Sequence, residues 1–360
     1  MKTILTNREN LRFVVGVLAG FVSSVLACEV QAIDATEWIG VIGVSPDGTR
    51  YALCRAYGDI GLDVNDMRND CTIFKRSLNK LKEDDLLIDE MTIYLCRTVE
   101  DPLDIDIQHR NRICEKSWKP DDKIAELKKI KKLLRSEGIQ VADSVRYLAV
   151  DGKNRFTIPK DVLKQYDIYV PIAASWSRVY RSSNDDNSDA SPGEWKMEFR
   201  AQGYGSIFLN QGNADDHGDW EYYLESVTIA HGTHWMFYNI GTAMEEASYI
   251  YPWAIRLDKV VARLINVRGF RRHKKGDFKG SAEDFARAFE MDPEFGLAAF
   301  NAACAEAKLG RKKESLEFLK KAIDLQPEES RKKARKDGDF DSLRSDSAFK
   351  KLVGEAPRKK

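Results

Sequence analysis

The C-terminal quarter of the chain contains two aligned stretches, GDFKGSAEDFARAFEMDP at residues 276–293 and GRKKESLEFLKKAIDLQP at residues 310–327. Residues of the first stretch recur 34 residues later, among them Gly276 as Gly310, Ala288 as Ala322 and Pro293 as Pro327. Glycine suits the turn between two helices because it adopts positive φ, and proline ends helices because it lacks an amide hydrogen. A period of this length is typical of repeats made of two helices. The sequence therefore predicts stacked helical hairpins in residues 261–354.

These positions resemble the tetratricopeptide repeat, in which each 34-residue unit forms a helix, a turn and a second helix. The residues that carry the resemblance are Gly269, Gly276, Phe278, Phe285, Ala288 and Pro293 in the first unit, and Gly310, Leu319, Ala322 and Pro327 in the second. The resemblance implies that Gly269 lets two helices approach closely. The sequence departs from the family at four places. Arg268 and Arg272 stand where apolar residues are usual, and Ser281 and Ser315 stand where alanine is usual.

The segment after the second unit resembles the sequence that closes tetratricopeptide arrays in many bacterial proteins. The resemblance rests on Asn-Ala-Ala-Cys at residues 301–304 and on Asp-x-x-x-Leu-Arg-x-Asp-x-x-Phe at residues 339–349. Arrays of this family hold a peptide or another protein on a concave face, so the resemblance implies a protein partner. The groove of two units would be shallow, and the alternative is a structural stub that packs on the rest of the chain.

The N-terminus has the pattern of a targeting segment. Basic residues precede an apolar and small-residue run at residues 13–27, which is as long as the core of a secretory signal peptide and short for a membrane span. Residues 1–32 are therefore predicted to be a signal peptide. Cleavage before Ile33 would give a secreted or periplasmic protein, whereas acylation of Cys28 would give a lipoprotein. Both alternatives, and an uncleaved anchor, place the rest of the chain outside the cytoplasm, in a bacterial envelope.

Four cysteines lie close together in the first mature segment: Cys54, Cys71, Cys96 and Cys114. In an oxidising compartment such thiols usually pair, so two disulfides are predicted, with three possible connectivities. The alternative is that some of these thiols are free and buried. None of the spacings is C-x-x-C, which disfavours zinc-ribbon and thioredoxin-like sites.

The sequence between the targeting segment and the repeats is rich in predicted strands. Apolar runs between turn residues predict strands at residues 91–97, 145–150, 155–158, 168–173, 195–200, 206–209, 222–229, 235–240 and 249–255. An apolar stripe after Pro120 predicts one amphipathic helix, which Gly138 ends. We therefore predict an α+β chain whose N-terminal region is a mostly antiparallel β-sandwich or barrel.

The predicted division of the chain follows from these patterns. It consists of a signal peptide at 1–32, a β-rich segment with four cysteines at 33–119, a helix plus antiparallel β domain at 120–258, the repeats with their closing segment at 259–354, and a basic tail at 355–360.

Composition and motifs narrow the function without naming a reaction. Lys plus Arg equals Asp plus Glu, at 57 each, so the charge gives no reason to expect nucleic acid as a partner. No nucleophile elbow, phosphate-binding loop or dinucleotide fingerprint occurs, so no catalytic residue and no cofactor are predicted, and an enzyme is not favoured. Asp185, Asn187 and Asp189 form an incomplete calcium-loop pattern, in which Ala190 replaces the required glycine. They are a weak candidate for a metal site.

The leading prediction is an extracytoplasmic scaffold protein that binds a peptide or another protein through its short repeat array. The alternative is an envelope protein that binds a ligand or a glycan with the tryptophans of its β domain: Trp176, Trp195, Trp220, Trp235 and Trp253. A third possibility is a hydrolase whose site the sequence does not reveal. A lipid at Cys28 would be the expected contact with a membrane.

Overall fold

The structure is a computed structural model, and it describes residues 35–45, 50–59, 91–97, 112–118, 123–136, 138–141, 145–179, 194–213, 221–230, 233–243 and 250–354. Outside these ranges lie the predicted targeting segment with Cys28, the acidic loop of Asp185, Asn187 and Asp189, Cys71, and the basic tail. No helix within the described ranges is both long enough and apolar enough to cross a membrane.

The N-terminal strands form a five-stranded antiparallel sheet. They are β1 (Ala35–Val44), β2 (Arg50–Asp59), β3 (Met91–Arg97), β4 (Arg112–Trp118) and β5 (Gln140–Val141), in the order β4-β3-β2-β1-β5. Cys54, Cys96 and Cys114 lie on β2, β3 and β4. Their side chains are outside the described part of the chain, so the disulfides stay a prediction.

Two four-stranded antiparallel sheets follow along the chain. Their strands are β6 (Val145–Leu148), β7 (Arg155–Ile158), β8 (Ile172–Val179), β9 (Glu194–Ala201), β10 (Gly205–Asn213), β11 (Glu221–Ala230), β12 (Trp235–Ala243) and β13 (Ile250–Arg256). One sheet has the order β10-β9-β8-β7 and the other has the order β13-β12-β11-β6. Helix α1 (Lys123–Ser136) precedes β5, and α2 (Lys160–Leu163) and a 3-10 helix (Lys164–Tyr166) follow β7.

Alternation along the strands decides which face of each sheet is buried. On β9, Met197 and Phe199 are fully buried, whereas Arg200 is exposed. This period of two is typical of a sheet with one face packed on a core and one face in water. The buried faces of the two four-stranded sheets share a single apolar cluster.

The chain becomes helical directly after β13. The helices are α3 (Leu257–Lys274), α4 (Phe278–Met291), α5 (Gly296–Lys308), α6 (Lys312–Leu325), α7 (Pro327–Ala334), a second 3-10 helix (Gly338–Leu343) and α8 (Ser347–Val353). The prediction of an α+β chain, with an antiparallel β region before a helical segment, is therefore confirmed. We call residues 335–353, which contain the second 3-10 helix and α8, the closing segment.

Turn chemistry explains where these helices begin and end. Gly276 and Gly310 have φ of 81° and 73°, a conformation that costs glycine little, and each lies between the two helices of a hairpin. Asp277 caps α4, because its side chain accepts a hydrogen bond from the amide of Gly280. Pro327 opens α7 immediately after α6 ends.

Helix α3 joins the repeat segment to the sheets. Five apolar residues in its first half are fully buried in the same cluster as the two four-stranded sheets: Leu257, Val260, Val261, Leu264 and Ile265. The repeat segment therefore does not stand apart on a linker, and the predicted domain boundary between residues 258 and 259 stays a prediction.

Candidate interaction surface of the repeat segment

The first helical hairpin depends on a close approach between α3 and α4. A Cβ atom added to Gly269 would lie 2.8 Å from Cε1 of Phe285, which is closer than real Cβ contacts. Phe285 is fully buried, in a small core that α4 shares with α5. The place of Gly269 thus matches the role that the resemblance gives to it.

The other residues that carry the resemblance fall into two groups. The apolar ones on the second helix of each hairpin are fully buried: Phe285, Ala288, Leu319 and Ala322. The remaining ones lie at helix ends or in the connections between helices: Gly276, Phe278, Pro293, Gly310 and Pro327. The first group therefore lies in the core, but in three separate apolar clusters. Ala288 belongs to the cluster of the sheets and Phe285 to a small cluster of α4 and α5, whereas Leu319 and Ala322 belong to the cluster of the closing segment.

The two arginines that depart from the family share one carboxylate. Arg268 donates to both oxygens of Asp284 on α4, from Nη2 to Oδ1 at 2.6 Å and from Nε to Oδ2 at 2.9 Å. Arg272 donates from Nη1 to Asp284 Oδ2 at 3.1 Å. Only 4% of the Asp284 side chain is exposed, so this charge is compensated inside the hairpin.

Arg268 also connects the hairpin to the β region. Its guanidinium lies 4.2 Å from the ring centroid of Tyr204, which is within cation–π range. Burial alone would lower the pKa of Arg268, but the hydrogen bond and the charge of Asp284 raise it above its usual value. Arg268 therefore remains charged while it contacts both α4 and the β9–β10 connection.

The two serines that replace alanines have hydrogen-bond partners. The Ser315 hydroxyl donates to the carbonyl of Ala303 at 2.8 Å, which joins α6 to α5. The Ser281 hydroxyl donates to the carbonyl of Phe278 within α4. Both serines are fully buried, so satisfied hydroxyls fill places where the family has methyl groups.

The closing segment packs on α5 through aromatic side chains. Phe340 is fully buried and its ring meets Phe300 of α5 edge-on, with centroids 5.8 Å apart. Phe349 of α8 lies on the other side, 5.5 Å from the same ring. A polar contact accompanies this core, since His273 Nε2 of α3 lies 2.8 Å from Asp339 Oδ2. The closing segment therefore contacts the first helix of both hairpins.

Part of the surface formed by α3 and α5, the first helices of the two hairpins, remains exposed. On α3, 47% of Phe270 is exposed, and the ammonium of Lys274 lies 4.5 Å from its ring centroid. On α5, 39% of Leu297 is exposed. Asn301 Nδ2 donates to Asn266 Oδ1 at 3.0 Å, which links the two helices.

Helical spacing places these residues around one contact. Phe270 is four residues after Asn266, and Leu297 is four residues before Asn301, so each shares a helix face with one of the asparagines. We call Phe270, Lys274 and Leu297 the α3/α5 surface. Its apolar and basic side chains are suited to a partner that offers apolar and acidic groups.

The tryptophans of the β region give little support to the alternative of a ligand surface. Trp176 and Trp235 are buried in the core, so neither can line an exposed site. The side chains of the other three tryptophans predicted for this surface are outside the described part of the chain. An open depression of about 560 Å³ does lie on the outer face of the β7–β10 sheet, with Arg200 and Arg271 in its lining.

Sequence reasoning missed Asp284 and the partners of the closing segment. Arg268 and Arg272 are spaced i and i+4 on one helix face, at places that should pack inside the hairpin. Two such guanidiniums require a buried carboxylate opposite, and this signal was available in the sequence. The contact of His273 with Asp339 spans 66 residues and has no comparable signal.

Comparison with known proteins bears on the helical segment. No curated protein matches the chain. The family described as "Tetratricopeptide repeat" matches residues 298–329, which include most of α5, all of α6 and the start of α7. This family generally mediates protein–protein interaction, so the match supports a scaffold role. The C-terminal segment of this chain therefore contains a tetratricopeptide repeat.

Proposed function

We propose that this chain is an extracytoplasmic protein-interaction protein whose repeat segment binds a peptide or a protein partner. The observation that carries the proposal is the exposure of Phe270, because no other large apolar side chain described on α3 or α4 is exposed. An exposed aromatic residue next to a basic one is a common anchor of protein interfaces.

The α3/α5 surface indicates the chemistry of the partner. Phe270 and Leu297 offer apolar area, and Lys274 offers a cation over the Phe270 ring. A peptide that places an apolar side chain against Phe270 and a carboxylate near Lys274 would satisfy both groups. The partner is therefore expected to carry an apolar residue close to an acidic one.

The packing of α3 supports binding on this surface rather than a purely structural role. An adjacent side of α3 meets the sheets, where a Cβ added to Gly205 would touch Val267 and Arg271. The β region thus supports α3 from one side and leaves Phe270 accessible on another. A helix held in this way can present a preorganised surface, which lowers the entropic cost of binding.

Photocrosslinking tests the surface directly. The full-length chain is made with p-benzoylphenylalanine in place of Phe270, in the cells that naturally produce this protein. Irradiation of these cells is expected to give a discrete crosslinked adduct with the partner. Leu325 is the matched control, because it lies on α6 and is exposed to a similar extent, 40%. Lys274→Glu in the Phe270-labelled chain is expected to lower the adduct yield at least about twofold, because it removes an ion pair.

Equal adduct yields from positions 270 and 325 would contradict the proposal, since they would reflect exposure alone. If Lys274→Glu leaves the adduct at position 270 unchanged, a partner does bind at Phe270, but it does not place an acidic group near Lys274. Circular dichroism of each variant controls for folding.

The extracytoplasmic location rests on the sequence of residues 1–32 and is part of the proposal. Mass spectrometry of the mature chain is expected to show either an N-terminus at Ile33 or a lipid-modified Cys28. A mature protein that retains Met1 and fractionates with the cytoplasm would exclude this location. That result would leave the interaction role intact, because the two rest on different residues.

A further inference from the structure

Three side chains with metal-binding chemistry converge where the closing segment meets α5. They are Cys304 of α5, Asp337 directly before the second 3-10 helix, and Asp339 within it. One ligand atom of each, the thiol sulfur and a carboxylate oxygen, lies within 4.8 Å of the other two. Cys304 Sγ is 3.9 Å from Asp337 Oδ2. Thiolate and carboxylate are both common ligands of Zn²⁺.

The thiol is buried without a good hydrogen-bond partner. Only 5% of Cys304 is exposed, and 3.9 Å to Asp337 is at the outer limit for a sulfur donor. Burial, together with the charges of Asp337 and Asp339, raises the pKa of the Cys304 thiol well above its usual value. The Cys304 sulfur therefore faces two carboxylates, to which a thiol can donate only a weak hydrogen bond.

The negative charge of the two carboxylates is only partly compensated. Among the described residues, no lysine or arginine forms an ion pair with either of them, and His273 is the basic partner of Asp339. Arg344 reaches Asp337 only at its backbone carbonyl. Two carboxylates that share a partly buried site attract a cation, and a divalent ion would neutralise them together.

The distances are close to those of a tetrahedral zinc site. With Zn–S of about 2.3 Å and Zn–O of about 2.0–2.2 Å, the edges between ligand atoms are about 3.3–3.6 Å. Closing the observed 3.9 Å to such an edge takes about 0.3–0.6 Å, and closing the limit of 4.8 Å takes at most about 1.5 Å, shared between two atoms. Asp339 is partly exposed, so water can reach the fourth position.

We propose that a thiophilic divalent metal ion such as Zn²⁺ binds to Cys304, Asp337 and Asp339 and fastens the closing segment to α5. His273 is a positioning residue, because its Nε2 donates to Asp339 and orients that carboxylate, as residues next to metal ligands commonly do. The ion replaces the thiol proton, so that one S–H bond breaks, one metal–sulfur bond forms and one proton leaves to solvent. This site does not depend on a peptide partner.

Cobalt provides the test because its spectrum reports both the ligands and the geometry. Metal-free full-length protein titrated with Co²⁺ is expected to gain a near-ultraviolet thiolate-to-cobalt band that saturates at one equivalent and is abolished by excess Zn²⁺. Cys304→Ser is expected to lose the band, and Asp339→Asn to weaken binding about 100-fold, since even outer ligands contribute 10–100-fold. Asp341→Asn is the control, because Asp341 is exposed and pairs with Arg344.

Two results would overturn the proposal. One is the absence of a saturable thiolate band in the wild-type chain, and the other is a band that Cys304→Ser leaves unchanged, which would place the metal on other cysteines. Circular dichroism checks that Cys304→Ser folds. If it does not, Asp339→Asn decides, and equal affinities of Asp339→Asn and Asp341→Asn would overturn the proposal.

Discussion

Asp284→Ala is expected to lower the free energy of unfolding by about 3 kcal/mol, as measured by urea unfolding of the full-length chain. The Asp284 carboxylate is buried and accepts hydrogen bonds from Arg268 and Arg272. Its removal leaves Arg268 partly buried without its carboxylate partner, and it leaves Arg272 only a long contact of 3.8 Å with Asp277. An unpaired buried charge destabilises the fold far more than the intact ion pair stabilises it. The truncation therefore has a large effect on the free energy of unfolding.

The neighbouring Glu283 provides a matched control. It lies one residue earlier on α4 and is exposed, so Glu283→Ala is expected to change the unfolding free energy by no more than about 0.5 kcal/mol. Similar effects of the two substitutions would show that solvent screens the arginines and that the carboxylate is not a structural centre. Arg268→Leu combined with Arg272→Leu and Asp284→Leu should recover much of the loss, because apolar packing can replace a buried ion network.

This hairpin shows how far a sequence pattern predicts a site. The period of 34 residues and the glycines at 276 and 310 predicted the connections between the helices, because positive φ at those points is a local requirement. The identity of the residue opposite Arg268 depends on tertiary packing and is not encoded by the local sequence. Nevertheless, two charges at packed positions of one helix face already required a buried carboxylate.

The β region was predictable where alternation is regular. The strand predicted at residues 155–158 is β7, and its burial alternates as a one-sided strand requires. The prediction at residues 168–173 was wrong at its start, because β8 begins at Ile172. Asp167 adopts φ of 49° at the end of a 3-10 helix, so the apolar run that follows is a connection before it becomes a strand.

The polar contacts of the closing segment lay beyond sequence reasoning. Cys304 is buried in the apolar cluster of the closing segment, as expected of a small apolar side chain. Its sulfur also faces Asp337, which is 33 residues away in the chain. Only the fold of residues 335–353 back onto α5 brings these groups together, and no local periodicity encodes a fold-back of that kind.

Phe340→Ala is expected to lower the free energy of unfolding by about 3–5 kcal/mol, measured by urea or thermal unfolding. Phe340 has no exposed surface and lies between Phe300 of α5 and Phe349 of α8. Truncation removes apolar area and leaves a cavity between two aromatic rings that the short closing helices are poorly able to fill. The same variant should accelerate amide hydrogen exchange in α5 and α8, because the closing segment would open more often.

Phe270→Ala is the matched control, since it removes the same side chain from an exposed place on α3. It is expected to cost less than about 1 kcal/mol, because much of that ring is already in water. Comparable losses for the two variants would mean that the closing segment is not a structural part of the array. A large loss at Phe340 alone would instead make residues 335–353 a third packing layer, without which the two hairpins leave Phe300 uncovered.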